Sequence, residues 1–133
     1  MRFLIHGAAP PEMPAALAQR GHACHTVPEL SADAGADAAA YDDPAILLPL
    51  LDKQQWHLLT ADAALVRGVY EKKVPFGGVI VLVLNDPDAA HDRGRAIERL
   101  FERYQRLTPG RLYTVTPNRV KIRQLPGAGA HRG

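Results

Sequence analysis

Six consecutive apolar residues, Val79 to Leu84, constrain this chain more than any other stretch. The run is short for a helix and too continuous for a strand with one wet face. It therefore reads as a central strand buried on both sides, the kind found in parallel sheets with helices above and below. Two shorter runs support the same reading. Arg2 to His6, carrying Phe3, Leu4 and Ile5, is a first strand; His57 to Thr60 is a third, stopping at Thr60 and Asp62. Between them, Pro10 and Pro11 open a helix that reaches Gln19 and closes at Gly21, and Ala23 to Val27 forms a short second strand.

Helical signals alternate with strands along the rest of the chain. Asp42, Asp43 and Pro44 start a helix through Ile46, Leu47, Leu50 and Leu51 to Gln54. A helix with Leu65, Val66 and Val69 follows Asp62 and ends near Lys73. Pro87 begins the longest helix, with Ile97, Leu100, Phe101, Tyr104 and Leu107 on one core-facing side. Leu112 to Thr116 and Val120 to Gln124, joined at Pro117-Asn118, predict an antiparallel hairpin at the sheet edge. Pro28 to Ala40 reads as a loop, and residues 127–133 as a disordered tail. The expected fold is α/β, a three-layer α/β/α sandwich whose strands one, three and four are parallel neighbours.

Length and composition narrow the function classes. A chain of 133 residues makes one domain, here 1–126. With 47% hydrophobic and 23% charged residues it has the balance of a water-soluble globular protein. No apolar run nears membrane length, so no membrane partner is expected. Phe3-Leu4-Ile5 is too short for a signal-peptide core, which predicts a cytoplasmic location. A lone cysteine, Cys24, excludes an internal disulfide. The net charge of +2 permits nucleic-acid contact without demanding it. The basic residues are unevenly spread: Arg93, Arg95, Arg99, Arg103, Arg106 and Arg111 crowd one segment, and Arg119, Lys121 and Arg123 alternate near the end.

Strand ends gather the chemistry. In a parallel sheet, His6, Thr60 with Asp62, and Asn85 with Asp86 all fall at the carboxyl edge, where open α/β folds hold ligands. Asp42 and Asp43 can reach the same rim. Carboxylates clustered there suit a divalent cation that positions a phosphodiester and activates water. Taken alone, Asp62 reads first as a helix N-cap, with Thr60 supporting it. His22 and His25 flank Cys24, but no second pair of ligands follows, so no zinc site is expected there. Trp56 reads as a packing residue.

These parts together resemble the PIN-like nuclease domain, in the short single-domain branch related to toxin ribonucleases of bacterial toxin–antitoxin pairs. The resemblance spans residues 1–126. It rests on the Met-Arg-Phe-Leu-Ile start, Pro10-Pro11 followed by Ala16-Leu17 and Arg20-Gly21-His22, Asp43 before Ile46-Leu47, Leu58-Leu59-Thr60-Ala61-Asp62, Gly77-Gly78-Val79-Ile80, and Val120-Lys121-Ile122-Arg123. It implies a Rossmann-like sandwich with a mainly parallel sheet, and RNA cleavage that depends on Mg²⁺ or Mn²⁺. It also implies an antitoxin-like protein partner and a homodimer. The chain departs from the family pattern at two places. His6-Gly7-Ala8 stands where the family has Asp-Glu-Asn, and Ala64 where it has a second Asp, so of the family's acids only Asp43 and Asp62 remain. The expectation is a degenerate domain that has lost most nuclease activity and binds RNA or protein, with Arg99, Arg103, Lys121 and Arg123 facing the nucleic acid. The alternative is a weak ribonuclease in which Asp43, Asp62 and His6 hold one divalent cation, His6 serves as third ligand or general base, and Asp42 or Asp86 replaces a missing acid.

Overall fold

A computed structural model describes residues 1–6, 12–26, 41–84, 93–104, 106–116 and 119–126. The chain alternates β1 (Arg2–His6), α1 (Glu12–Gln19), β2 (Ala23–Thr26), α2 (Pro44–Gln54), β3 (His57–Thr60), α3 (Ala63–Glu71), β4 (Ile80–Val83) and α4 (Arg93–Arg103), then closes with β5 (Arg111–Thr116) and β6 (Arg119–Gln124). One six-stranded sheet runs in the order β2-β1-β3-β4-β5-β6. All neighbouring pairs are parallel except β5 with β6, which form the expected antiparallel edge pair. The α/β reading holds, as does the adjacency of strands one, three and four, and the layout is Rossmann-like. The loop at 28–40, the helix start at Pro87 and the tail 127–133 lie outside the described residues.

Strand alternation explains why the apolar runs are continuous. On β1, β3, β4 and β5, Leu4, Leu58, Ile80, Leu82 and Leu112 cluster with Leu47, Leu48 and Leu51 of α2 and with Leu65, Val66 and Val69 of α3. Their strand neighbours Phe3, Leu59, Val81, Val83, Tyr113 and Val115 cluster with Met13, Ala16 and Leu17 of α1 and with Ala96, Ile97, Leu100 and Phe101 of α4. Successive side chains on a strand point to opposite faces, so each face of the sheet has its own apolar cover.

Local chemistry sets the helix ends. Gly21 takes φ +80°, the left-handed turn that closes α1. Gln55 takes the same region at φ 60° and returns its N–H to the carbonyls of Leu51 and Asp52, ending α2. α4 stops at Arg103 rather than continuing to Leu107. Tyr104 and Leu107 still pack into the α1/α4 cluster, so the apolar spacing outlasts the helix. Trp56 is packed as expected: it is 6% exposed and stacks face to face on His25, with ring centroids 4.0 Å apart. Burial pushes the Cys24 thiol up, as suits a packed rather than a reactive cysteine.

His57 makes the fold sensitive to acid. Its Nδ1 accepts the Val79 N–H at 2.9 Å. Burial first, then the N-terminal ammonium and His22, hold its pKa below the ordinary 6.5. The folded chain thus takes up this proton at a lower pH than the unfolded chain does. This contribution to stability is complete above the unfolded value and is lost as pH falls through the lowered folded one. The urea midpoint should therefore drop between about pH 7.5 and about pH 5.5. In His57→Asn, which keeps an acceptor but does not titrate, the drop should be smaller; an equal drop in both proteins would remove His57 from the explanation.

Candidate functional site

Strand order places the site. β1 leads through α1 outward to β2, and the chain then returns to place β3 on the other side of β1. The reversal point lies between the carboxyl ends of β1 and β3, where α/β sheets of this order bind ligands. His6 and Thr60, paired in register, sit at that point. Both are buried, His6 at 3% exposure and Thr60 completely.

A short polar chain crosses the gap. The Asp62 N–H donates to Thr60 Oγ1 at 3.0 Å. Thr60 Oγ1 lies 3.4 Å from His6 Nδ1, and His6 Nε2 lies 3.2 Å from Asp42 Oδ1. A carboxylate only accepts, so the arrangement assigns the imidazole proton to Nε2, facing Asp42, and leaves Nδ1 to accept from the Thr60 hydroxyl. Carboxylate, imidazole and hydroxyl in sequence resemble the order of a nucleophilic triad. Thr60, however, has no exposed surface from which to attack a substrate. Both ring nitrogens of His6 are engaged, so a role as metal ligand or general base requires one of these contacts to break. The described geometry is that of a structural tie, holding Asp42, the residue ahead of the α2 N-cap, to the end of β1.

Asp62 and Asp43 carry out capping. Asp62 Oδ1 accepts the N–H groups of Ala64 at 3.0 Å and Leu65 at 3.3 Å at the start of α3. Thr60 supports Asp62 through its backbone, as expected. Asp43 Oδ1 accepts the Ala45 N–H at 3.0 Å at the start of α2 and the Lys72 ammonium at 2.9 Å. Lys72 foremost, then the Ala45 N–H, hold its carboxyl below the usual carboxylate range. The structure thus pairs His6 with Asp42, Asp43 with Lys72, and Asp62 with its own helix. This arrangement does not fit the single cation of the alternative reading, in which Asp43, Asp62 and His6 share one ion, because the Lys72 ammonium is on Asp43 and both His6 nitrogens are engaged. Among the described residues, no group of three His, Cys, Asp or Glu side chains is placed to hold an ion. Asn85 and Asp86 lie outside the described residues.

Replacing Asp62 with alanine should cost about 0.5–2 kcal/mol of stability, the usual loss for an N-cap. Asp62→Asn should cost much less, because asparagine caps as well. Thermal melts of the two variants check this; equal losses would mean that the charge of Asp62, not its cap geometry, is what matters.

The basic residues divide between two faces. Arg99 and Arg103 lie on α4, over the sheet face that carries Tyr113 and Val115. On β6, Arg119, Lys121 and Arg123 stand opposite Thr116, Thr114 and Leu112, positions of the other face. The four residues predicted to meet nucleic acid therefore do not form one surface. Arg123 places its guanidinium 4.0 Å from the centre of the Tyr70 ring, and the Tyr70 hydroxyl donates to the Gln124 carbonyl at 2.9 Å, tying α3 to the edge strand. Beside them, Leu84, Thr114, Thr116, Arg119 and Lys121 line a cavity of about 350 Å³. Arg119 joins this surface through strand parity; its alternation with Lys121 and Arg123 is the sequence signal. Tyr70 had none, since its contact depends on how α3 sits against β6.

Compared with family models, with curated proteins and with solved structures, the chain matches none.

Proposed function

We propose that the chain is a PIN-like domain, a three-layer α/β/α sandwich, that has lost most metal-dependent ribonuclease activity and binds RNA along the outer face of β6. The observation that carries this reading is the alternation of Arg119, Lys121 and Arg123 on one exposed face of the edge strand, with no carboxylate between them. Residues two apart on a strand are about 6.6 Å apart, so the three cations form a row along which a phosphate backbone can lie. Tyr70 holds Arg123 in place at one end of that row. The pairing of Asp43 with Lys72, and the engagement of both His6 nitrogens, favour binding over cutting.

An RNA oligonucleotide titrated into the protein at several salt concentrations tests the reading. Affinity should fall linearly with salt on logarithmic axes, as counterion release requires. A flat response would leave a protein partner as the better reading of the same surface.

A further inference from the structure

We propose that the groove between β4, β5 and β6 is a small-molecule site for a phosphate monoester with an apolar body, about the size of a mononucleotide. Its lining among the described residues is Leu84, Thr114, Thr116, Arg119 and Lys121, none of them a carboxylate. The volume of about 350 Å³ falls at the lower end of small-ligand pockets.

The lining divides by chemistry. Leu84 is one of the few large apolar side chains left exposed, at 36%, and its backbone is pinned by an N–H bond to the Val115 carbonyl at 3.0 Å. It offers a fixed apolar wall. Register does the rest: Thr114 stands opposite Lys121, and Thr116 opposite Arg119, so each hydroxyl lies beside a cation on the same face of the ribbon. Threonine is stiff at its first side-chain torsion, so these hydroxyls are pre-oriented in a way that lysine and arginine tips are not. Among the described residues, neither Arg119 nor Lys121 has an acidic partner. The Thr116 hydroxyl already donates to the Arg119 carbonyl at 3.4 Å, which leaves the Thr114 hydroxyl to donate to a ligand. A monoester phosphate carries nearly two negative charges near neutral pH and three acceptor oxygens, which matches two cations and that hydroxyl. An uncharged ligand would leave both cations unanswered.

Isothermal titration of adenosine 5′-monophosphate, adenosine and inorganic phosphate into the full chain tests the proposal. The monophosphate should bind one to one, adenosine should not bind, and phosphate alone should bind more weakly. Thr114→Val and Lys121→Gln should each weaken the monophosphate about tenfold, the loss expected for one charge-assisted hydrogen bond. Thr114→Ser, which restores the hydroxyl, should restore affinity and thereby separates a lost contact from a damaged fold. Arg103→Gln, on the opposite face, should bind as the parent does. No saturation in the millimolar range overturns the proposal, as does Arg103→Gln weakening binding as much as Lys121→Gln. The groove and the RNA reading fail separately. Monophosphate binding without RNA binding keeps the groove and removes the RNA reading, and RNA binding without monophosphate binding does the reverse.

Discussion

Phe3→Ala and Leu4→Ala should each be severely destabilising, by about 3–5 and about 2–5 kcal/mol respectively. The two residues are sequence neighbours on β1 and both are completely buried. Phe3 packs with α1 and α4, against His22 and His57 at 5.8 and 5.5 Å between ring centroids, whereas Leu4 packs with α2 and α3. Against a total stability of about 5–15 kcal/mol, either loss is a large fraction. Urea unfolding of the two variants measures it. A sheet covered on one face only would show one large loss and one small one, so a cost below about 1 kcal/mol at either position would contradict the two-sided core.

Glutamine at all three of Arg119, Lys121 and Arg123 should abolish most RNA affinity. Single-stranded RNA releases about 0.7 counterions for each phosphate neutralised, so three lost cations should lower the salt slope by about 2. At low salt the loss should be on the order of a hundredfold. Arg99→Gln with Arg103→Gln removes two charges from the other face of the sheet and should change affinity little. Fluorescence anisotropy with a labelled oligonucleotide measures both variants. Equal losses in the two would mean that the protein attracts RNA by net charge rather than through β6.

How much the sequence disclosed depended on the range of the interaction. Val79 to Leu84, Phe3 to Ile5 and His57 to Leu59 announced buried strands because each run has no polar position that could face water. Asp43-Pro44 and Asp62 announced helix starts because capping uses residues two or three apart in the chain. What the sequence could not announce were relations fixed by packing. Asp42 and Asp43 are neighbours, and which of them meets His6 depends on how α2 is seated on the sheet. Likewise, Arg99 with Arg103 and Lys121 with Arg123 look alike as charge clusters. Only the pairing of Leu112 with Arg123 shows which face β6 presents, and only the packing of Ile97 and Leu100 shows which face α4 covers. The end of α4 was hidden for a related reason: Tyr104 and Leu107 keep the helical apolar spacing while packing from outside the helix.

The most direct measurement is a gel-shift titration of 5′-labelled single-stranded RNA with the protein, run in parallel with EDTA and with Mn²⁺, on the parent chain and on Asp62→Asn. The expected result is the same affinity in all four conditions and RNA of full length throughout. Cleavage that appears with Mn²⁺ and disappears in Asp62→Asn would contradict it, and would make Asp62 a metal ligand as well as a helix cap.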